Sequence, residues 1–152
     1  GCAESFKPGR YNAVENAERY GRSMINDFNQ GTVGWTDWNI LLDQRGGPNH
    51  VGNFCFAPMH ANAETDELFY TLTYHYIGHF SKFIRPGAKR VVSVPSVNSL
   101  LTTAFINPDK SLVIVVMNQS DKDITYSLTM ESKTAMLNTL PHSIQTIVLK
   151  QQ

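Results

Sequence analysis

The sequence predicts a mixed α/β region followed by an all-β region that forms an antiparallel β-sandwich. Apolar residues recur at helical spacing twice in the first half, within residues 13–29 and 68–84. Six short β-branched runs follow from about residue 88, and turn residues separate them at intervals typical of a sandwich. The 152 residues therefore divide into two predicted parts, residues 1–86 and residues 87–152.

The first predicted helix spans about residues 13–29 and is followed by a predicted strand. Asn12 followed by Glu15 resembles a capping pair at a helix start. Gly31 stands where a glycine commonly follows a helix end. The β-branched and aromatic content of residues 32–42 then predicts a buried strand.

The second predicted helix spans residues 68–84. A hydroxyl and two acids at residues 65–67 suit a helix N-terminus. Apolar residues cover so much of the helix that we expect it to be buried nearly all round. Pro86 and Gly87 are expected to end it, because the residue before a proline avoids the helical conformation.

Composition excludes several classes of protein. Lys plus Arg and Asp plus Glu are 13 each, so there is no basic surplus to bind nucleic acid. The longest aliphatic run, residues 112–117, is far shorter than the roughly 18 residues that cross a bilayer, so no transmembrane segment is expected. Two cysteines do not make a disulfide framework, and the cellular compartment cannot be read from them.

Residues 35–39 form the most unusual stretch, with two tryptophans, an acid and an amide. A buried Asp37 would need a hydrogen-bonding or charged partner. One interpretation is an aromatic core strand with one satisfied acid. The other is a sugar site, where an indole face stacks on a pyranose and Asn or Asp binds hydroxyls. The nearby residues 46–49 lack the spacing of a phosphate-binding loop and predict a tight turn.

Other candidate groups have simpler interpretations. His75 and His79 are four apart, as metal ligands on a helix often are, but a buried, hydrogen-bonded pair is the preferred prediction. Cys2 and Cys55 are predicted to be small buried thiols. Residues 118–120 match a glycosylation acceptor triplet, which is a weak signal.

Five motifs together resemble those of a known enzyme family. They are Gly-Trp-Thr-Asp-Trp-Asn at 34–39, Gly-Gly-Pro-Asn at 46–49, Asn-Phe at 53–54, Gly-His-Phe-Ser-Lys-Phe-Ile at 78–84 and Pro-His-Ser-Ile-Gln-Thr at 141–146. In this order they resemble the C-terminal part of glycoside hydrolase family 30, the glucosylceramidase (acid β-glucosidase) family. The resemblance covers nearly the whole chain, from Gly1 to about Lys150.

The resemblance implies a (β/α)8 TIM barrel with an attached β-sandwich. Such a barrel needs roughly 200 residues or more, so this chain would hold only part of one. Residues 1–86 would be an incomplete C-terminal segment of the barrel, with residues 33–41 as its last strand and 68–84 as its last helix. Residues 87–152 would be the β-sandwich domain.

The resemblance also implies a retaining β-glycosidase, which would hydrolyse β-glucosidic bonds in a glucosylceramide-like lipid or a β-glucan. Such enzymes use two carboxyl groups and need no cofactor or metal. In the family, the nucleophilic Glu directly precedes a pair that matches Gly1 and Cys2. The nucleophile is therefore expected just before Gly1 and the acid/base further upstream. The chain alone is expected to be inactive and to have the missing N-terminal barrel segment as its partner.

Four residues match the substrate pocket of the family. Trp38 would stack on or border the bound glucose, and Asn53 would lie near the mouth of the active site. Cys2 would be a cysteine on the pocket side, and Asp37 would orient the pocket through hydrogen bonds. Members of the family are often secreted or lysosomal, so the resemblance favours a secreted, periplasmic or lysosomal location.

A second hypothesis is a non-enzymatic carbohydrate-binding or interaction module. The positions of Trp35 and Trp38 distinguish the two hypotheses. A flat, exposed pair of indoles on the sandwich would favour a binding module. Indoles buried at the end of a strand in the α/β part would favour the enzyme fragment.

Overall fold

The computed structural model describes residues 6, 7 and 9–150, and it confirms an α/β part followed by an all-β part. The first part comprises α1 (Val14–Asn29), β1 (Leu41–Asp43), β2 (Met59–Asn62), β3 (Glu67–Tyr70) and α2 (Leu72–Ser81). The second comprises β4 (Lys89–Val91), β5 (Leu100–Ile106), β6 (Leu112–Asn118), β7 (Ile124–Met130), β8 (Lys133–Thr139) and β9 (Ser143–Leu149). Among these residues, no helix is both long and apolar enough to cross a membrane.

The strands form three sheets. In the small sheet β1–β2–β3, β1 pairs with β2 in parallel and β3 pairs with β2 antiparallel. The order β4–β5–β6–β9 forms a wholly antiparallel four-stranded sheet, and β7 pairs with β8 as a separate hairpin. The six β-branched runs of the sequence thus correspond to the six strands β4 to β9.

The four-stranded sheet is the middle layer of the molecule. On one face, Val115 and Met117 pack against the buried side chains of both helices. On the other face, Ile114 and Val116 belong to a second core, against which apolar residues of β7 pack. Because both faces of β6 are covered, the strand has an unbroken apolar run instead of alternating polarity.

Helix α1 matches its prediction within one residue, but its start differs. Ala13 is the N-cap residue, and no side chain of the described residues makes a capping hydrogen bond, so the predicted Asn12 capping pair is wrong. Glu15 instead lies 3.5 Å from the Arg10 guanidinium. At the other end Gly31 adopts a φ of +97° and its amide donates to Phe28, which confirms the glycine after the helix.

The predicted buried strand over residues 32–42 is wrong. The chain is irregular up to Ile40 and only Leu41–Asp43 is a strand. Val33 and Ile40 are exposed side chains. Within the described residues no strand lies beside 33–40, so its backbone has no ladder of hydrogen bonds to join.

The second helix is shorter than predicted because its first residues belong to a strand. Leu68 and Phe69 pair with β2 in β3, and the helix begins after Thr71, whose hydroxyl donates to the Pro58 carbonyl at 3.0 Å. The expectation of burial all round is also wrong. Tyr76 and Phe80 are buried, whereas other residues of α2, including Tyr74 and His75, are exposed.

The glycosylation triplet has a structural role in the turn after β6. Asn118 is fully buried, and its side-chain nitrogen donates to the carbonyls of Lys122 at 2.8 Å and Leu140 at 2.9 Å. Its side-chain oxygen accepts the Ser120 amide. This nitrogen is therefore not available to a glycosyltransferase in the folded chain.

His142 links α1 to the turn that follows β6. Its Nδ1 lies 2.8 Å from a Glu18 carboxylate oxygen and its Nε2 lies 2.7 Å from an Asp121 oxygen. The hydrogen bonds with Asp121 and then Glu18 raise the pKa of His142 above its ordinary value of 6.5. Both ring nitrogens can donate only in the imidazolium, so the structure favours the protonated ring.

We expect this link to make stability depend on pH. The pKa of His142 is raised on folding, so its contribution is fully present below the unfolded-state pKa of about 6.5 and is lost as pH rises through the folded-state pKa. The urea midpoint of the chain should therefore exceed that of His142→Gln at about pH 5.5 and approach it at about pH 8.5. A difference between the two proteins that stays constant over this range would contradict the assignment.

Candidate functional site

Residues 34–39 form an extended segment with two different sides. Trp35 and Asp37 are half-buried, whereas Thr36 and Trp38 are exposed. This alternation is what an extended chain gives when one of its sides rests on a neighbouring element. That element is α1, and the alternation puts Trp38, which is 62% exposed, on the other side of the segment.

Two side-chain hydrogen bonds attach the segment to α1. The Tyr20 hydroxyl donates to the Asp37 carboxylate, and the Trp35 indole N–H donates to an Asp27 oxygen at 3.0 Å. The Tyr20 and Trp35 rings also meet edge to face, with centroids 5.7 Å apart. Asp37 therefore has the partner that its burial requires.

The ionisation of this pair follows from its surroundings. Burial raises the pKa of Tyr20, and the hydrogen bond and the charge of Asp37 raise it further. Burial also acts to raise the pKa of Asp37, but hydrogen bonds, among them those from Tyr20 and the Trp38 amide, lower it overall. The pair is thus a neutral phenol donating to a carboxylate.

The segment ends in a sharp turn directly after Trp38. Asn39 adopts a φ of +52°, in the left-handed region that asparagine tolerates better than most residues. The extended alternation stops there, and the chain enters β1 two residues later. This turn makes Trp38 the last residue of the segment before the chain changes direction.

The loop after β1 is held by Asp43. Its carboxylate accepts the amides of Arg45 and Gly47, each at 2.8 Å, and the Gly46 amide donates to the Asp43 carbonyl. The Gly46 carbonyl in turn accepts the Cys55 amide at 2.9 Å. The predicted tight turn is confirmed, and it brings the two ends of the loop together.

Asn53 lies exposed on this loop. Its amide donates to the side-chain oxygen of Asn49 at 3.0 Å, which closes a small turn within the loop. The structure thus puts Asn53 after β1 and Trp38 before it, both with exposed side chains. Asp37 points to the opposite side, toward α1, and Cys2 lies outside the described residues.

His60 is a residue that the sequence analysis missed. It is fully buried in β2, where its Nε2 accepts the Ala57 amide at 3.0 Å and its Nδ1 lies 2.8 Å from the Asp43 carbonyl. Accepting at Nε2 leaves the proton on Nδ1, which donates to Asp43. Burial lowers the pKa of His60, so this neutral ring ties the start of the loop to its end.

The cysteine and histidine predictions have mixed outcomes. Cys55 is buried as predicted, but its sulfur is disulfide-bonded, so the prediction of a thiol is wrong for this residue. His79 lies 3.0 Å from the Thr146 hydroxyl, as expected of a hydrogen-bonded histidine, whereas His75 is exposed. The described residues contain no group of three or more metal-ligating side chains that could hold an ion.

A cleft of about 590 Å³ separates the segment from α2. Trp35, Asp37 and Asn39 line one side, and Tyr74 and His75 are among the residues on the other. Trp38 lies on the opposite side of the segment and does not line this cleft. The cleft and the exposed face of Trp38 are therefore separate surfaces.

Comparison with known proteins identifies relatives of both parts. The glycosyl hydrolase family 30 TIM-barrel domain matches residues 3–84, and the family's beta sandwich domain matches residues 87–147. Lysosomal acid glucosylceramidase of Mus musculus is 37% identical over 120 residues, which are 78% of this chain and 23% of that protein. Putative glucosylceramidase 3 of Caenorhabditis elegans is 32% identical over 90% of this chain and 27% of its own length.

Solved structures show the same fold. SrfJ from Salmonella typhimurium superposes with a TM-score of 0.91 at 33% identity, over 98% of this chain and 33% of SrfJ. The endo-beta1,6-glucanase BT3312 superposes with a TM-score of 0.79 at 21% identity, over 90% of this chain and 31% of that one. The chain spans about a quarter of the length of these curated relatives. The chain therefore belongs to glycosyl hydrolase family 30 and combines part of its TIM-barrel domain with its β-sandwich domain.

Proposed function

We propose that this chain is the C-terminal portion of a retaining β-glycosidase of the glucosylceramidase type. The whole enzyme would hydrolyse β-glucosidic bonds in a glucosyl lipid or a β-glucan. Residues 1–86 would contribute the last part of the barrel and the wall of the sugar pocket, and residues 87–152 the sandwich. The two catalytic carboxylates would come from the barrel segment that precedes this sequence, and the chain alone would be inactive.

The observation that carries the proposal is the orientation of Trp38. Its indole lies on the side of residues 34–39 that faces away from α1. In a TIM barrel the helices pack on the outside of the strands, so the side opposite a helix faces the barrel interior. An exposed indole at the end of such a segment suits stacking on a pyranose ring.

Neighbouring acids support a role in binding instead of bond cleavage. Asp37 accepts the Tyr20 hydroxyl, and Asp43 accepts two backbone amides of its own loop. Both carboxylates thus hold parts of the wall in place. Asn53 on the neighbouring loop would supply a hydrogen-bonding group at the mouth of the pocket.

The alternative of a carbohydrate-binding module has less support. Both tryptophans lie in the α/β part and do not form a flat pair on the sandwich, which disfavours a binding module. The expected burial at a strand end is not met for Trp38, which is 62% exposed on an irregular segment. Trp35 packs edge to face on Tyr20 and bonds to Asp27, while Trp38 points to the other side. A sugar-binding surface on the sandwich would need a different set of aromatic residues.

The proposal is tested by joining the chain to the preceding barrel segment and measuring hydrolysis of an aryl β-glucoside. We expect Trp38→Ala to lower kcat/KM at least tenfold, or about 1.4 kcal/mol, because a stacking surface for the sugar is lost. The chain without that segment should show no turnover.

Met136→Ala is the matched control. Met136 is 65% exposed, close to the 62% of Trp38, but it lies on the hairpin strand β8, far along the chain from the pocket wall. This variant should keep the kcat/KM of the unmodified enzyme. Unchanged kinetics in Trp38→Ala, or turnover by the chain alone, would overturn the proposal.

A further inference from the structure

We propose that Tyr20 and Asp27 of α1 are positioning residues for the sugar pocket. Their hydrogen bonds with Asp37 and Trp35 hold one side of the segment against α1, which leaves Trp38 on the other side. This inference rests on the proposed function, because it takes Trp38 as the residue that contacts the sugar.

The spacing of the hydrogen-bonded residues fits the geometry of the helix and of the extended segment. Tyr20 and Asp27 are seven residues apart, which is close to two helical turns, so both lie on one face of α1. Trp35 and Asp37 are two residues apart, so both lie on one side of an extended chain. The helix therefore holds the segment at two successive positions on the side that faces α1, and Trp38 is left on the opposite side.

Helix α1 is itself firmly held. Ala17, Met24 and Ile25 are buried in the core that α1 shares with α2 and the middle sheet. The Asn29 side chain donates to the Thr102 carbonyl in β5 at 2.8 Å, and Arg22 donates to Gln119 at 2.6 Å. An anchor fixed at these points can set which side of the segment faces α1.

The cost of losing the anchor follows from the geometry of an extended chain. A rotation by one residue would exchange its two sides, turning Trp38 toward α1 and Asp37 outward. In the assembled enzyme, strands of the preceding barrel segment would flank residues 33–40 and would also oppose that rotation. The hydrogen bonds from Tyr20 and to Asp27 act with the packing of Trp35 against the helical core to hold the present orientation of the segment.

The test is a set of variants of the assembled enzyme, in which this chain is joined to the preceding barrel segment. Tyr20→Phe removes one hydroxyl and should raise KM for an aryl β-glucoside about fivefold with kcat within about twofold, because sugar stacking is shared by the ground and transition states. Asp37→Asn keeps an acceptor and should raise KM less than Asp37→Ala. Tyr20→Phe with Asp37→Ala should not exceed Asp37→Ala alone, since both changes remove the same bond.

Tyr76→Phe is the matched control, because it also removes the hydroxyl of a buried helical tyrosine. That hydroxyl donates to the His142 carbonyl at 3.0 Å and does not contact the segment. Tyr20→Phe and Tyr76→Phe should lower Tm to a similar extent, and only Tyr20→Phe should raise KM. An equal KM in both variants would assign Tyr20 a structural role and overturn the inference.

The outcomes separate this inference from the proposed function. If Trp38→Ala leaves kcat/KM unchanged, the proposed function fails. If Trp38→Ala costs tenfold while Tyr20→Phe and Asp37→Ala both keep the original KM, the proposed function stands and the positioning role fails. Should Tyr20→Phe not fold, the ranking of Asp37→Asn and Asp37→Ala in KM decides the question.

Discussion

Replacing Phe80 with alanine is expected to lower the free energy of unfolding by about 3–5 kcal/mol, which is the usual cost of emptying the site of a buried aromatic ring. Phe80 is 2% exposed and belongs to the core in which α2 meets α1 and the middle sheet. Its ring lies 6.1 Å from that of Phe28, so the contact joins the two helices.

Urea unfolding followed by circular dichroism measures this loss. Tyr74→Ala is the matched control, because Tyr74 is an aromatic residue on the same helix but is 38% exposed. Its replacement should cost no more than about 1 kcal/mol. Equal losses in the two variants would mean that α2 does not pack through Phe80.

Gly46→Ala is the second large effect expected. Gly46 has a φ of +82°, and a Cβ built there would lie 2.4 Å from the Cys55 carbonyl oxygen and 2.9 Å from its amide nitrogen. Those atoms belong to backbone that bonds back to Gly46, so they cannot swing aside. Backbone strain and overpacking together should cost about 2–4 kcal/mol.

Gly52→Ala separates the two causes. Gly52 lies on the same loop with a φ of +75°, but a Cβ there would meet nothing within 4 Å. It should cost only the conformational penalty of about 1 kcal/mol. In the assembled enzyme, Gly46→Ala should also raise KM, because the same loop carries Asn53. A Gly46→Ala protein as stable as Gly52→Ala would show that the close approach to Cys55 is relieved without cost.

The sequence predicted well those parts of the fold in which apolar or β-branched residues recur in a regular pattern. Helix α1 has a buried stripe at helical spacing, and its end carries Gly31 in the conformation that glycine favours. Strands β4 to β9 have β-branched runs separated by turn residues. In both cases local pattern and tertiary packing agree, so the pattern alone is informative.

The wrong predictions concern segments whose secondary structure depends on pairing with strands elsewhere in the chain. Residues 33–40 have the composition of a buried strand, but a strand also needs partners on its edges. Residues 68–70 fit a helical stripe equally well, yet pairing with β2 takes them into β3. Periodicity cannot choose between these outcomes, because the choice is made by backbone groups elsewhere in the chain.

The candidate site shows the same division. The need of Asp37 for a partner followed from the cost of burying a carboxylate, and Tyr20 meets that need. Residues 35–39, with Trp38 among them, were already a possible sugar site by composition. The choice of Trp38 within that stretch, and of Asn53, came from the resemblance to a family. His60 was missed because a single histidine near the end of a loop gives no periodic signal before its two backbone partners are known.

Strand β6 has a consequence for how the chain comes apart. Val115 and Met117 belong to the helical core, and Ile114 and Val116 belong to the core on the hairpin side, so both cores depend on the same strand. A substitution that destabilises either core should therefore destabilise the other, because both pack against β6. The two regions recognised as separate family domains should melt together, and a protease should find no intact half to release.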